Sequence, residues 1–283
     1  MELTRQEIES AAADVVARSL VEDIGLGDLT SRALFGPEDS CRAKVLLKEE
    51  GVVCGLEVAR AAFRRLDETI EFEPLIEEGA RVSEIPKELA RLAGHTRAIL
   101  GAERVALNLL GRLSGIATLT RAFVAAVEGT GVAILDTRKT TPGLRALEKY
   151  AVQVGGGFNH RLGLYDAVLV KDNHLRLAGG VEKAVRRLRG SIRLPLEVEA
   201  DTFEQVEQAL ELGVERILLD NMSPVEVAAA VELVAARAQL EVSGGVTLDN
   251  VRAYAVTGVN AISIGALTHS ARSFDVSLEV LEP

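Results

Sequence analysis

Between Leu3 and Leu20 the apolar residues Leu3, Ile8, Val15, Val16 and Leu20 recur at roughly helical spacing, which predicts an opening amphipathic helix. Gly25-Leu26-Gly27-Asp28-Leu29-Thr30 breaks it. Short apolar runs follow at Ala43–Leu47, Val52–Cys54, Ile70–Leu75 and Leu89–Ala93, set apart by the Glu-Glu-Gly turns Glu49–Gly51 and Glu77–Gly79. A helical pattern at Glu57–Leu66 lies among them, so this part reads as a mixture of strands and helices without strict alternation. From Arg97 to Glu128 the pattern is long and helical, with expected interruptions at Gly101, Gly111 and Gly115.

Beyond residue 130 the texture changes. Six apolar, β-branched-rich runs recur: Val132–Leu135, Ala167–Val170, Leu194–Val198, Arg216–Leu219, Leu240–Val242 and Ala261–Ile264. Helical stretches such as Val181–Leu188, Phe203–Leu212 and Pro224–Ala236 separate most of them. Repeated βα units predict a parallel sheet with buried strands, either closed into a barrel or doubly wound. No strand is followed by a GxGxxG or Walker loop, so neither nucleotide-binding fingerprint supports a doubly wound assignment. A barrel would carry its site at the C-terminal ends of its strands. Just past the six runs stand Asp136-Thr137-Arg138-Lys139, Lys171-Asp172-Asn173-His174, Glu199, Asp220-Asn221, Ser243-Gly244-Gly245 and Gly265.

Composition narrows the chemistry. At 48% hydrophobic the chain can bury a sizeable core, and a net charge of −10 argues against broad nucleic-acid or anionic-membrane binding. Aromatic residues make up only 4%, with no Trp, so stacking platforms are an unfavoured theme. No apolar run is expected to span a bilayer, and the acidic start does not resemble a signal peptide; a soluble cytoplasmic protein is expected. Cys41 and Cys54, thirteen apart, read as small packing thiols. Against the acidic background, residues 136–176 hold seven Lys or Arg and four acids, which suggests a focused site for a small polyanion. Arg138 and Arg161 suit carboxylates or phosphates because a guanidinium fork binds two oxygens at once. Lys139 and Lys171 supply compact charge, and His160 adds another if protonated. Glu199 and Asp220 could hold Mg²⁺, bind sugar hydroxyls, or simply pair with the lysines. Ser243, Gly244, Gly245 and Gly265 permit close backbone approach to a phosphate, or are plain turn residues. Gly155-Gly156-Gly157 reads as a flexible connection.

The stretch Asp136-Thr137-Arg138-Lys139-Thr140-Thr141-Pro142-Gly143, with Lys149-Tyr150-Ala151-Val152, Gly155-Gly156-Gly157, Asn159-His160-Arg161 and Lys171-Asp172-Asn173-His174, resembles the quinolinate phosphoribosyltransferases. Further matching motifs are Glu22-Asp23, Gly27-Asp28-Leu29-Thr30, Glu103-Arg104, Leu107-Asn108, Ser114-Gly115-Ile116-Ala117-Thr118, Leu219-Asp220-Asn221 and Ser243-Gly244-Gly245, in order from about residue 20 to 270. The resemblance implies an α/β fold: an N-terminal α/β sandwich over 1–112, to which a tail at 270–283 returns, and an incomplete, seven-stranded β/α barrel over 113–269. It implies Mg²⁺-dependent transfer of phosphoribosyl from phosphoribosyl pyrophosphate to quinolinate, giving nicotinate mononucleotide, pyrophosphate and CO2. It implies a homodimer with sites shared between subunits, or a higher assembly of such dimers. By the same resemblance Arg138, His160, Arg161 and Lys171 bind quinolinate, joined by Arg104 from the neighbouring subunit. Lys139 faces the pyrophosphate. Glu199 and Asp220 position the ribose hydroxyls and the metal, directly or indirectly. Ser243, Gly244, Gly245 and Gly265 approach the 5′-phosphate. Competing readings are a paralogue with another acceptor, a non-catalytic anion-binding barrel, and a Schiff-base aldolase using Lys171.

Overall fold

The computed structural model describes residues 3–281, and the chain divides into two compact units. The first holds the chain up to Arg121, together with Thr140–Gly156 and the chain from Ala266 onward; the second holds Ala122–Lys139 and Gly157–Gly265. Met1, Glu2, Glu282 and Pro283, at the outer limits of the expected domains, lie outside the described residues.

The first unit opens with α1 (Arg5–Ile24), whose N-terminus is closed by a reciprocal cap between Thr4 and Glu7 and whose buried stripe is Ala12, Val15, Val16 and Leu20. A short α2 (Leu29–Leu34) starts on Asp28, which accepts the Ser31 backbone N–H at 3.0 Å. Then come β1 (Ser40–Leu47), β2 (Gly51–Val52), α3 (Leu56–Leu66), β3 (Glu71–Pro74), β4 (Arg81–Val82), β5 (Lys87–His95) and α4 (Thr96–Ala126). Strand β12 (Val276–Val280), near the other end of the chain, pairs antiparallel with β1 at Val45↔Leu278, giving the order β12-β1-β5-β3. The two-residue ladder of β2 and β4 is too short to show as a hydrophobic run, and β4 is absent from the sequence expectations. Val45, Leu47 and Leu92 are buried, and the Phe63 and Phe72 rings lie 6.1 Å apart.

The long helix departs from expectation twice. It runs unbroken through Gly101, Gly111 and Gly115, because two of these glycines serve packing rather than helix termination. A Cβ on Gly115 would overlap the Arg272 carbonyl oxygen, and one on Gly111 would sit 2.6 Å from that of Phe274. The helix is also long and apolar enough to cross a membrane by length and composition, contrary to the expectation that no run qualifies. Its apolar residues are core material: 56% of its most apolar window is buried within the protein. Gly155 is likewise no slack linker. It follows α5 (Arg145–Val154) and lies where a Cβ would be 2.6 Å from the Ala117 carbonyl oxygen.

The second unit is the βα repeat: β6 (Ala133–Leu135), β7 (Val168–Val170), α6 (Asp172–Ala178), α7 (Val181–Arg189), β8 (Leu196–Ala200), α8 (Phe203–Glu211), β9 (Arg216–Asp220), α9 (Pro224–Val234), β10 (Gln239–Ser243), α10 (Val251–Ala255) and β11 (Ala261–Ser263). A last short helix, α11 (Ala266–His269), returns the chain to the first unit. All strand pairings are parallel, in the order β7-β8-β9-β10-β11-β6. Successive strands are neighbours and the last returns to the first, which is the ring order of a barrel with one seam, between β6 and β7. Beside β6 at that seam stands a seventh strand position one residue long: Phe158 bridges Leu135, donating to the Ile134 carbonyl at 2.8 Å and accepting from Asp136 N at 3.1 Å. A single residue leaves no apolar run, so run-counting finds six.

Candidate active site at the C-terminal strand ends

Parallel register sets the height of each side chain. Ser243 lies opposite Asp220, Ser263 opposite Leu135, and Val170 opposite Val198, so the polar residues that follow the strands share one rim. Within each strand, alternate residues face the same side. Glu197 and Glu199 therefore share a face, as do Glu241 and Ser243.

At the rim the Glu199 carboxylate is buried, accepts the Asp172 backbone N–H at 3.3 Å and lies 4.0 Å from Lys171 Nζ. Burial pushes its pKa up, and the nearby Asp220 charge adds to the push. Asp220 is also raised, by burial first and by Asp201 next; Lys171, the Ser243 hydroxyl and Lys139 oppose the shift. Two desolvated carboxylates held this close favour a cation or hydroxyl donors between them. Oxygens of Glu199, Asp201 and Asp220 lie within 4.8 Å of one another, a hard-donor set that fits Mg²⁺.

Arg161 is buried, and its pKa is lowered by burial first and then by the charge of Arg138. Two guanidinium groups near enough for their charges to repel favour a ligand with two negative charges. Lys139 and Lys171 are exposed. Of the other three cations in the 136–176 count, Arg176 sits on α6 in the same unit, whereas Arg145 and Lys149 sit on α5 in the first unit, where Lys149 is fully buried. Arg104 also belongs to the first unit, exposed on α4 beside Glu103 at 2.9 Å.

Backbone flexibility is used at the loop after β10. Gly244 has φ +93°, and Asn221, at φ +57°, donates its backbone N–H to the Ser243 carbonyl at 2.9 Å. Gly245 has φ +62° with open space where its Cβ would be, so the main chain there is accessible to a ligand.

Below the rim lies a network the sequence expectations miss. Asp136, fully buried, accepts the Asn159 side-chain amide at 2.6 Å and the His160 backbone N–H at 2.9 Å. His160 Nε2 stands 3.4 Å from Glu197 and 3.3 Å from Glu241, whose carboxylate also accepts the Ser263 hydroxyl. Its Nδ1 accepts the Arg161 backbone N–H at 2.7 Å, so both ring nitrogens are engaged within the unit. Burial opposes charging the ring, but the two carboxylates outweigh it and lift it to about 9. Burial raises Glu197; at Glu241 burial also pushes upward, but the His160 and Ser263 hydrogen bonds prevail and hold it down. The signal was present in the sequence: Glu197 and Glu241 each interrupt the apolar phase of a short buried strand, in Leu196-Glu-Val-Glu-Ala200 and Gln239-Leu-Glu-Val-Ser243.

Comparison with known proteins divides the chain near residue 115. Residues 28–114 match the family model of the quinolinate phosphoribosyl transferase N-terminal domain, and residues 116–279 that of the C-terminal domain. The chain is 44% identical over 262 residues to the probable nicotinate-nucleotide pyrophosphorylase (carboxylating) of Bacillus subtilis (strain 168), covering 92% of this chain and 90% of that one. It is 43% identical over 277 residues to the nicotinate-nucleotide pyrophosphorylase (carboxylating) of Mycobacterium leprae (strain TN), covering 95% and 97%. Among solved structures, the nicotinate-nucleotide pyrophosphorylase from Ehrlichia chaffeensis superposes with a TM-score of 0.91 at 38% identity, covering 99% and 100% of the two chains.

Proposed function

Because the chain belongs to the quinolinate phosphoribosyltransferase family, we propose that it catalyses Mg²⁺-dependent transfer of a phosphoribosyl group to quinolinate with loss of CO2, as a cytoplasmic homodimer. The observation that carries this reading is the pairing, on one rim, of the opposed Arg138 and Arg161 cations with the desolvated Glu199 and Asp220 carboxylates. Quinolinate carries two adjacent carboxylates, and the former pair suits them. Phosphoribosyl pyrophosphate carries ribose hydroxyls and a metal-binding diphosphate, and the latter pair suits those.

In the proposed arrangement Arg138 and Arg161 grip the acceptor's carboxylates, with Lys171 and the partner subunit's Arg104 closing the charge around them. Glu199 and Asp220 receive the ribose hydroxyls and, with Asp201, hold Mg²⁺. When bound, Mg²⁺ neutralises charge on the departing pyrophosphate. Lys139 adds a compact positive charge on that side. The main chain at Gly244, Gly245 and Gly265 approaches the 5′-phosphate. The C1–O bond to pyrophosphate breaks through an oxocarbenium-like state, comparable to that in glycoside cleavage. The pyridine nitrogen, held in line, donates its lone pair to C1; such positioning supplies up to about 7–11 kcal/mol of rate acceleration. The positive charge on the pyridinium nitrogen then stabilises the electron pair left on C2 as the 2-carboxylate departs as CO2, and that pair takes up a proton from water. The protein needs no covalent catalyst for either stage.

Incubation of the purified protein with quinolinate, phosphoribosyl pyrophosphate and Mg²⁺ tests the proposal. Equal amounts of nicotinate mononucleotide, pyrophosphate and CO2 are expected. Binding of both compounds without pyrophosphate release would make the rim a non-catalytic anion site.

A further inference from the structure

Glu197 and Glu241, the carboxylates that flank His160, have no assigned part in the chemistry above, and they are costly to keep. Glu197 and Glu241 are 5% and 0% exposed, and one oxygen of each has no hydrogen-bond partner. Apolar residues of similar volume at such positions are often as stable or more so. The trio also bridges a distance. Its carboxylates come from β8 and β10, which have β9 between them and are therefore about 9–10 Å apart in the sheet. A single imidazole nitrogen closes that span at 3.3–3.4 Å on each side.

The ring belongs to a segment pinned from two directions. From β6, Asp136 holds the Asn159 amide and the His160 N–H; from β8 and β10, the carboxylates hold His160 Nε2. The next residue is Arg161, whose backbone N–H donates to His160 Nδ1 and whose guanidinium feels both Arg138 and Glu197. An arginine pushed by a like charge moves away unless its backbone is fixed.

We propose that Glu197 and Glu241 are positioning residues for the acceptor: by holding His160 through Nε2 they fix Arg161 beside Arg138, and so make the site selective for two adjacent carboxylates over one. The inference rests on the acceptor chemistry proposed above. It predicts damage confined to one substrate, because Glu199, Asp220 and the β10 loop bind the other without passing through His160. It also predicts that an uncharged acceptor of the same shape suffices, since the carboxylate's task is to accept the Nε2 proton and the Ser263 hydroxyl.

The test compares Glu241→Ala, Glu241→Gln and Ser263→Ala with the parent. Steady-state KM is measured for quinolinate and for phosphoribosyl pyrophosphate. Calorimetry gives Kd for phthalate, an unreactive 1,2-dicarboxylate, and for nicotinate, which has one carboxylate. Glu241→Ala is expected to raise KM for quinolinate and Kd for phthalate at least tenfold, with KM for phosphoribosyl pyrophosphate within twofold and nicotinate binding little changed. Glu241→Gln is expected to recover to within about threefold of the parent. If Glu241→Ala does not fold, Ser263→Ala, which loosens the same carboxylate, should raise the two dicarboxylate constants about threefold to fivefold. A parallel rise for both substrates, or no rise in any variant, overturns the inference. A parent that fails to turn over quinolinate, yet shows the selective loss of phthalate binding in the variants, would sink the proposed activity and leave the positioning role standing.

Discussion

Arg161 feels the like charge of Arg138, and in the free protein that repulsion works against folding. Sites that hold like charges together for a ligand's sake commonly trade stability for function. Arg138→Ala therefore has two expected effects of opposite sign. Charge-assisted hydrogen bonds contribute roughly 1.5–3 kcal/mol each, so KM for quinolinate should rise about tenfold or more. The thermal midpoint should stay level or increase, because Arg161 loses a repelling neighbour. A scanning calorimetry trace with a clearly lower midpoint, or unchanged kinetics, would show that the two guanidinium groups are not opposed as described.

Among the elements, α4 shows how glycine can mean something other than a break. In an exposed helix, replacing Gly by Ala stabilises by up to about 1 kcal/mol. At Gly115 the sign is expected to reverse, because the added methyl must displace the Arg272 main chain. Overpacking of this kind costs about 2–3 kcal/mol, which for a chain of this size lowers the midpoint by roughly 3–5 °C. Gly101→Ala is the control: its new neighbour is the movable end of Leu66 at 3.2 Å, and its midpoint should shift far less. Equal melting curves for the two variants would mean that the 272–274 segment yields freely. The same helix shows where sequence reading stops. Periodicity placed α4 and the six main strands within a few residues, because each buries a run with a clear phase. It could not anticipate that Gly111 and Gly115 face a returning main chain, since that neighbour lies more than 150 residues away. Nor could it see β4, β12 or the Phe158 bridge, whose pairings depend on partners rather than on their own apolar pattern. The site divides likewise. Charged residues just past the strands, Asp136 among them, were legible as a rim, whereas Glu197 and Glu241 were passed over, because an acid inside a short buried strand gains a meaning only once a partner such as His160 is known.

For the whole molecule, the open question is how many chains complete one site. Arg104 is 65% exposed on α4, and its nearby partner is its own sequence neighbour Glu103. Exposed pairs of this kind contribute little stability, so folding of the single chain does not account for an arginine there. A shared site does, and it makes a quantitative demand on mixtures. In the proposed two-fold dimer each site would take Arg104 from one chain and Lys171 from the other. Arg104→Ala and Lys171→Ala proteins should each be nearly inactive alone. After mixing in equal amounts and exchanging subunits, half of the dimers are hybrids. Each hybrid carries one site with both substitutions and one with neither, so roughly a quarter of the parent's activity should return. Differently tagged chains, pulled down together, establish that exchange has occurred. Should exchange be complete and activity stay at the level of the separate variants, Arg104 and Lys171 do not meet across a subunit boundary. Cations from a single chain would then have to serve the acceptor alone, and that places the whole charge of the dicarboxylate on Arg138, Arg161 and Lys171.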